Sequence, residues 1–136
     1  MRHISINMKI NAFEVASRYV YPSIRRRIVE ILSNEHKLNQ REIARLIHIT
    51  QSAVSRYIRQ NRGTYIEIEQ FKDIDEEIRK MVQWIIKDEP NEYDLHKKII
   101  EISLEMLGKG YVCVFHHEID ESVDPSSCKT CIDLFG

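Results

Sequence analysis

Several things are scarce in this 136-residue chain, and each scarcity excludes something. There are four glycines and three prolines, and nowhere do they gather into a flexible linker. No repeat and no low-complexity segment is present. No apolar run approaches the roughly 20 residues that a membrane span needs. The opening MRHISINMKI has an early arginine but neither a long apolar core nor a small-residue cleavage site, so it does not read as a secretory signal. A cytoplasmic location is the expectation. Three cysteines in such a chain do not make a disulfide framework. No Ser-His-Asp set, phosphate loop, His-Glu-x-x-His or paired-carboxylate arrangement stands out, so no enzyme is expected. The run DIDEE at 73–77 reads as a solvated helix start rather than a catalytic pair.

What is present is the composition of a soluble globular protein, with 43% hydrophobic and 30% charged residues. The net charge of −1 conceals an asymmetry. Residues 1–65 carry 12 Lys or Arg against 4 acids, whereas residues 66–136 carry 8 against 17. A basic half joined to an acidic half suggests a polyanion-binding module beside a second module. Two solvated surfaces that balance for solubility are the plainer alternative.

The apolar spacing predicts an all-α fold. Ile4, Ile6, Met8 and Ile10 alternate, which allows one short strand at 4–10. A helix follows over 12–20, and Pro22 suits the first turn of a new one with Ile24, Ile28, Ile31 and Leu32 on its inner face. Asn39, with Glu42 three residues on, marks the start of a helix over 40–47 with Ile43, Ala44 and Ile47 inward. Thr50 caps another over 51–60, where Val54, Tyr57 and Ile58 form the inner face and Gly63 closes the segment. Two longer helices come next. Ile74, Ile78, Met81 and Ile85 stripe the first, which Pro90 stops; Leu95, Ile99, Ile102 and Met106 stripe the second, with Gly108 after its last turn. Such stripes suit a helical hairpin that pairs with a second subunit, or one that completes the monomer core. Three regions result: a head at 1–63, a hairpin at 64–110 and a turn-rich tail at 111–136.

Within the head, REIARLIHITQSAVSRY at 41–57 carries a steric pattern. Two helices crossing through a short turn need a small residue at their closest approach, which Ala44 supplies. They also need apolar residues to fill the wedge, here Ile43, Ile47, Ile49, Val54 and Tyr57. These residues resemble the helix-turn-helix of phage-repressor and Cro-like regulators. The longer stretch YPSIRRRIVEIL…NQREIARLIHITQSAVSRYIRQNRG is similar to archaeal transcriptional regulators over residues 12–63. One position departs from the pattern: His48 stands where the turn usually has glycine, at a cost of ~1 kcal/mol if the backbone is left-handed there.

The resemblance implies that the second helix enters the major groove of double-stranded DNA. Gln51, Ser52, Ser55 and Arg56 lie opposite Val54, Tyr57 and Ile58, and are the candidate base contacts. Glutamine matches adenine N6 and N7, arginine matches guanine O6 and N7, and serine lets the backbone come close. Arg25, Arg26, Arg27, Arg41, Arg45, Thr50, Arg59 and Arg62 are candidate phosphate contacts. One short helix reads few bases, so a homodimer on a two-fold site is expected.

The tail holds Cys113, Cys128 and Cys131 as C-x14-C-x2-C, with His116 repeating the short spacing upstream and His117 beside it. Cys113, His116, Cys128 and Cys131 make an acceptable Cys3His set for structural zinc. An iron–sulfur cluster is the second metal choice, and Cys/His clusters are common at this place in the archaeal regulators. A reversible thiol pair at Cys128 and Cys131, or cysteines that merely pack, are the other readings. The expectation is therefore a DNA-binding regulator whose tail responds to metal or oxidant. The alternatives are a protein-interaction adaptor built on the same wedge, and a small thiol redox protein.

Overall fold

The computed structural model describes residues 8–59 and 66–136, and among these every regular element is helical. Of the strand expected at 4–10, residues 4–7 lie outside the described residues, and Met8–Ile10 form no strand. The elements are α1 (Ala12–Val15), a π-helical turn (Ala16–Val20), α2 (Tyr21–Asn34), α3 (Gln40–Ile47), α4 (Gln51–Arg59), a 3-10 turn (Ile68–Gln70), α5 (Lys72–Asp88), α6 (Glu92–Gly108), α7 (Cys113–Ile119) and α8 (Thr130–Phe135).

The new start expected at Pro22 is instead a continuation. The Tyr21 amide bonds the Ala16 carbonyl five residues back, so the helix widens there without breaking. Proline offers no N–H and its ring crowds the carbonyl four residues earlier; a widened turn just ahead of it relieves that clash. Ser23 is buried in the same region. Its hydroxyl donates to the Tyr19 carbonyl and accepts the Ile66 amide at 2.8 Å, tying the segment before α5 to α2.

α2 sits at the centre and packs against α3, α4, α5 and α6. Its Ile24, Ile28, Ile31 and Leu32 are buried, and each contributes about 1.5–3 kcal/mol by leaving water. The stripes of α5 and α6 are no more than 5% exposed, so they face the chain's own core. Ile58, expected inside, is 39% exposed, while Leu46 is buried in α3. α4 buries only Val54 fully, and its last turn leads into residues outside the description.

Charge adds a second tie between α2 and α5. The Arg27 guanidinium donates to both Asp75 oxygens at 2.7 and 3.2 Å, and Arg79 bridges Asp75 to Glu35 at 3.2 and 2.6 Å. Burial alone would raise the Asp75 carboxyl, but the Arg27 and Arg79 guanidiniums together outweigh it and hold the group below its ordinary value.

The segment before α1 is likewise tied to α7 and the residue that ends it. The amides of Lys9 and Ile10 donate to one Asp120 oxygen at 2.6 and 3.0 Å, and His116 Nε2 lies 2.6 Å from the Ile10 carbonyl. Ser122 donates to the other Asp120 oxygen. That bond, with the two amides, holds the Asp120 carboxyl far below the usual carboxylate range although it is 1% exposed. Gly108, expected beyond α6, is instead its last residue. A Cβ there would come within 2.4 Å of the Phe135 carbonyl oxygen, so only glycine lets α8 close on α6.

Candidate nucleic-acid interface

The wedge of α3 and α4 is built from local signals. Asn39 accepts the Glu42 amide at 2.9 Å while Glu42 accepts the Asn39 amide at 3.1 Å, a complete capping box. α3 ends at His48, whose φ of 59° and ψ of 41° are left-handed, with the Ile49 amide reaching back to Ala44 O at 3.2 Å. This is a Schellman ending, and glycine is its commonest residue. Histidine has its own use here: its Nε2 lies 2.9 Å from the Pro90 carbonyl, which fastens the corner to the α5–α6 connection. The Thr50 hydroxyl then accepts the Ala53 amide at 3.0 Å and caps α4.

On the outer side of α4, Gln51, Ser52 and Arg56 are exposed and Ser55 is half-buried. None of the four is drawn into a hydrogen bond or ion pair among the described residues. The positive helix end and small serines at the start of α4 suit close approach to an anion or a base edge.

The candidate phosphate contacts fall into distinct environments. Arg41, Arg56 and Arg59 are exposed and have no carboxylate partner among the described residues. Arg45 reaches Glu89 at 2.6 Å across an exposed surface, a pairing of little energetic weight that a phosphate can replace. Arg26 is 8% exposed and lies 3.3 Å from Glu30. Arg27 is engaged by Asp75, Glu30 and Glu69. Arg25 lies 5.1 Å over the Tyr21 ring. Arg62 lies outside the described residues.

The tail residues do not come together as a metal site. Among the described residues, no three His, Cys, Asp or Glu side chains are gathered closely enough to hold an ion. His116 Nε2 is taken by Ile10 O, and His117 Nδ1 lies 2.6 Å from Val123 O. Each of these bonds uses one ring nitrogen and leaves the other able to ligate; what the arrangement lacks is the close gathering of Cys113, His116, Cys128 and Cys131 that a tetrahedral Cys3His centre needs. Burial, with the nearby thiols, raises Cys113 and Cys131 above the usual thiol value, the opposite of the lowered value that makes a cysteine reactive.

Comparison with known proteins agrees with the wedge. Residues 23–60 match the winged helix-turn-helix DNA-binding family, a stretch that runs from α2 through α4. No match to the chain was found among curated proteins or solved structures. The chain therefore carries a helix-turn-helix DNA-binding domain followed by further helices. No helix among the described residues is long and apolar enough to cross a membrane.

Sequence reasoning missed three anchors: His48 to Pro90, Arg27 to Asp75, and Asp120 to the amides of Lys9 and Ile10. Each joins residues at least 42 apart, so no local spacing announces it. The one available signal was the histidine standing at a glycine position.

Proposed function

We propose that the chain is a sequence-specific regulator of transcription that reads double-stranded DNA with α4. The observation that carries this reading is a polar face without side-chain partners among the described residues. Gln51, Ser52, Ser55 and Arg56 occupy the outer side of α4, and Arg41 and Arg59 flank it with no carboxylate partner among the described residues. Arg56 and Gln51 have the donor geometry to read guanine and adenine edges. Arg41 and Arg59, with Arg45 once it leaves Glu89, would grip phosphates and set the register. Two copies on a two-fold operator are part of the proposal, since nine residues of α4 span few base pairs. It is a binding reading, with no catalytic step.

Fluorescence anisotropy on a labelled mixed-sequence duplex tests it. Three arginines in each of two copies make about six phosphate contacts, which give a fall of log K with log salt of slope about −5. No measurable association at low salt would favour the adaptor reading, in which the wedge meets protein instead.

A further inference from the structure

A cavity of about 1060 Å³ opens between the α1–α2 rod and α6. Its walls are apolar, formed by Phe13, Ile28, Leu95, Ile99, Leu104 and Phe135. Phe13 and Tyr93 stand at its rim 77% and 83% exposed, an unusual posture for large apolar side chains. At one place the wall turns polar. The Tyr21 hydroxyl and His96 Nδ1 are 2.8 Å apart, and the half-buried Arg25 guanidinium lies 5.1 Å over the Tyr21 ring. Arg25 has no carboxylate partner among the described residues. Two acids also line the cavity. Glu14 is occupied by Arg18 at 3.4 Å and by the Asn11 amide at 3.0 Å, whereas Glu92 sits in the first turn of α6, where the helix amides offset its charge.

We infer that this cavity binds an amphipathic organic anion, a hydrocarbon body ending in one carboxylate. The carboxylate meets Arg25, with the Tyr21–His96 pair beside it, and the body lies along the apolar walls. A site of this kind, large, mostly apolar and with a few convergent polar groups, is the general form of a small-molecule pocket. Charge complementarity selects the head group: a cationic amphiphile would face Arg25, and a neutral one would leave it unpaired. The cavity is concave, which favours a small guest over the flat face of a second copy.

The pocket also touches the reading head. Ile47 and His48, the end of α3 and its left-handed corner, form part of the wall. A guest therefore bears on the residue that sets the angle of α4. This coupling rests on the proposed DNA binding; the pocket itself does not.

Titration calorimetry of the full chain with decanoate, decanol and decylamine tests the site. Decanoate should saturate at one per chain, with the alcohol and the amine at least tenfold weaker. Arg25→Gln should bring decanoate down to the level of decanol. Leu104→Trp should fill the cavity and abolish binding of all three without loss of helical signal. Ile100→Trp, also on the lining, serves if that variant does not fold. Failure of decanoate to bind, equal or tighter binding of the amine, or a dimer that covers Phe13 and Tyr93 would overturn the proposal. With decanoate present, duplex affinity should shift at least fivefold; no shift would remove the coupling. Decanoate binding by a chain that binds no duplex would refute the regulator reading and leave the pocket standing.

Discussion

His48 offers a sharp test, because two opposed effects meet at one residue. Its backbone is left-handed, which costs a non-glycine residue about 1 kcal/mol. Its ring holds the Pro90 carbonyl at 2.9 Å, and such a bond contributes a net ~1 kcal/mol, with the loss larger if the carbonyl is left dry. His48→Ala keeps the strain and loses the bond, so it should destabilise by about 1–2 kcal/mol. His48→Gly loses the bond but relieves the strain, and its freer unfolded chain costs a few tenths more, so the net change should lie within about 1 kcal/mol of zero. The order is the informative part: Ala must be worse than Gly. Urea unfolding followed by helical circular dichroism measures both. An alanine variant as stable as the parent, or a glycine variant less stable than alanine, would refute the reasoning.

Three further outcomes are expected. Burial, then the bond and charge of Glu105, push Glu77 up to about 7, while its bond with Glu77 holds Glu105 below the ordinary value of 4.5. The folded chain thus keeps a proton that the unfolded chain releases, and stability falls as pH rises from 4.5 to about 7. After allowance for screening, Glu77→Gln should add about 1 kcal/mol at pH 8 and little at pH 5 in unfolding titrations; parallel profiles would refute the assignment. Gly108→Ala should force α8 off α6 at a cost of about 1–3 kcal/mol despite the better helix former, seen as rapid hydrogen exchange over residues 130–135. Elemental analysis should find well under one zinc per chain, since among the described residues no three His, Cys, Asp or Glu side chains are gathered closely enough to hold an ion; one per chain would refute this.

The parts of the fold that were legible in the sequence are those governed by neighbours in the chain. Both of the expected head caps formed, Asn39–Glu42 and Thr50, because a cap needs only residues three apart. The stripes of α2, α5 and α6 were legible for the same reason: one buried face repeats with the helix itself. Where the outcome depended on what packs against a residue, spacing was silent. Ile58 has the period of an inner residue but stays exposed, and Gly108 looked like a helix stop although it serves the approach of α8. The three adjacent arginines are all candidate phosphate contacts by sequence, yet Arg26 and Arg27 turn to carboxylates on α2, α5 and the turn before it, while Arg25 lines the cavity. Charge counts do not reveal which cations fold back on the protein.

The central claim is that the outer face of α4 distinguishes one duplex sequence from another. A duplex enriched by repeated selection should bind the parent chain at least a hundredfold more tightly than a scrambled duplex at the same salt. In the double variant Gln51→Ala, Arg56→Ala that ratio should fall to within a few-fold of one, while the fold is kept, because both side chains are exposed and have no partner among the described residues. A ratio unchanged in the double variant would show that sequence is read elsewhere, and would contradict the account.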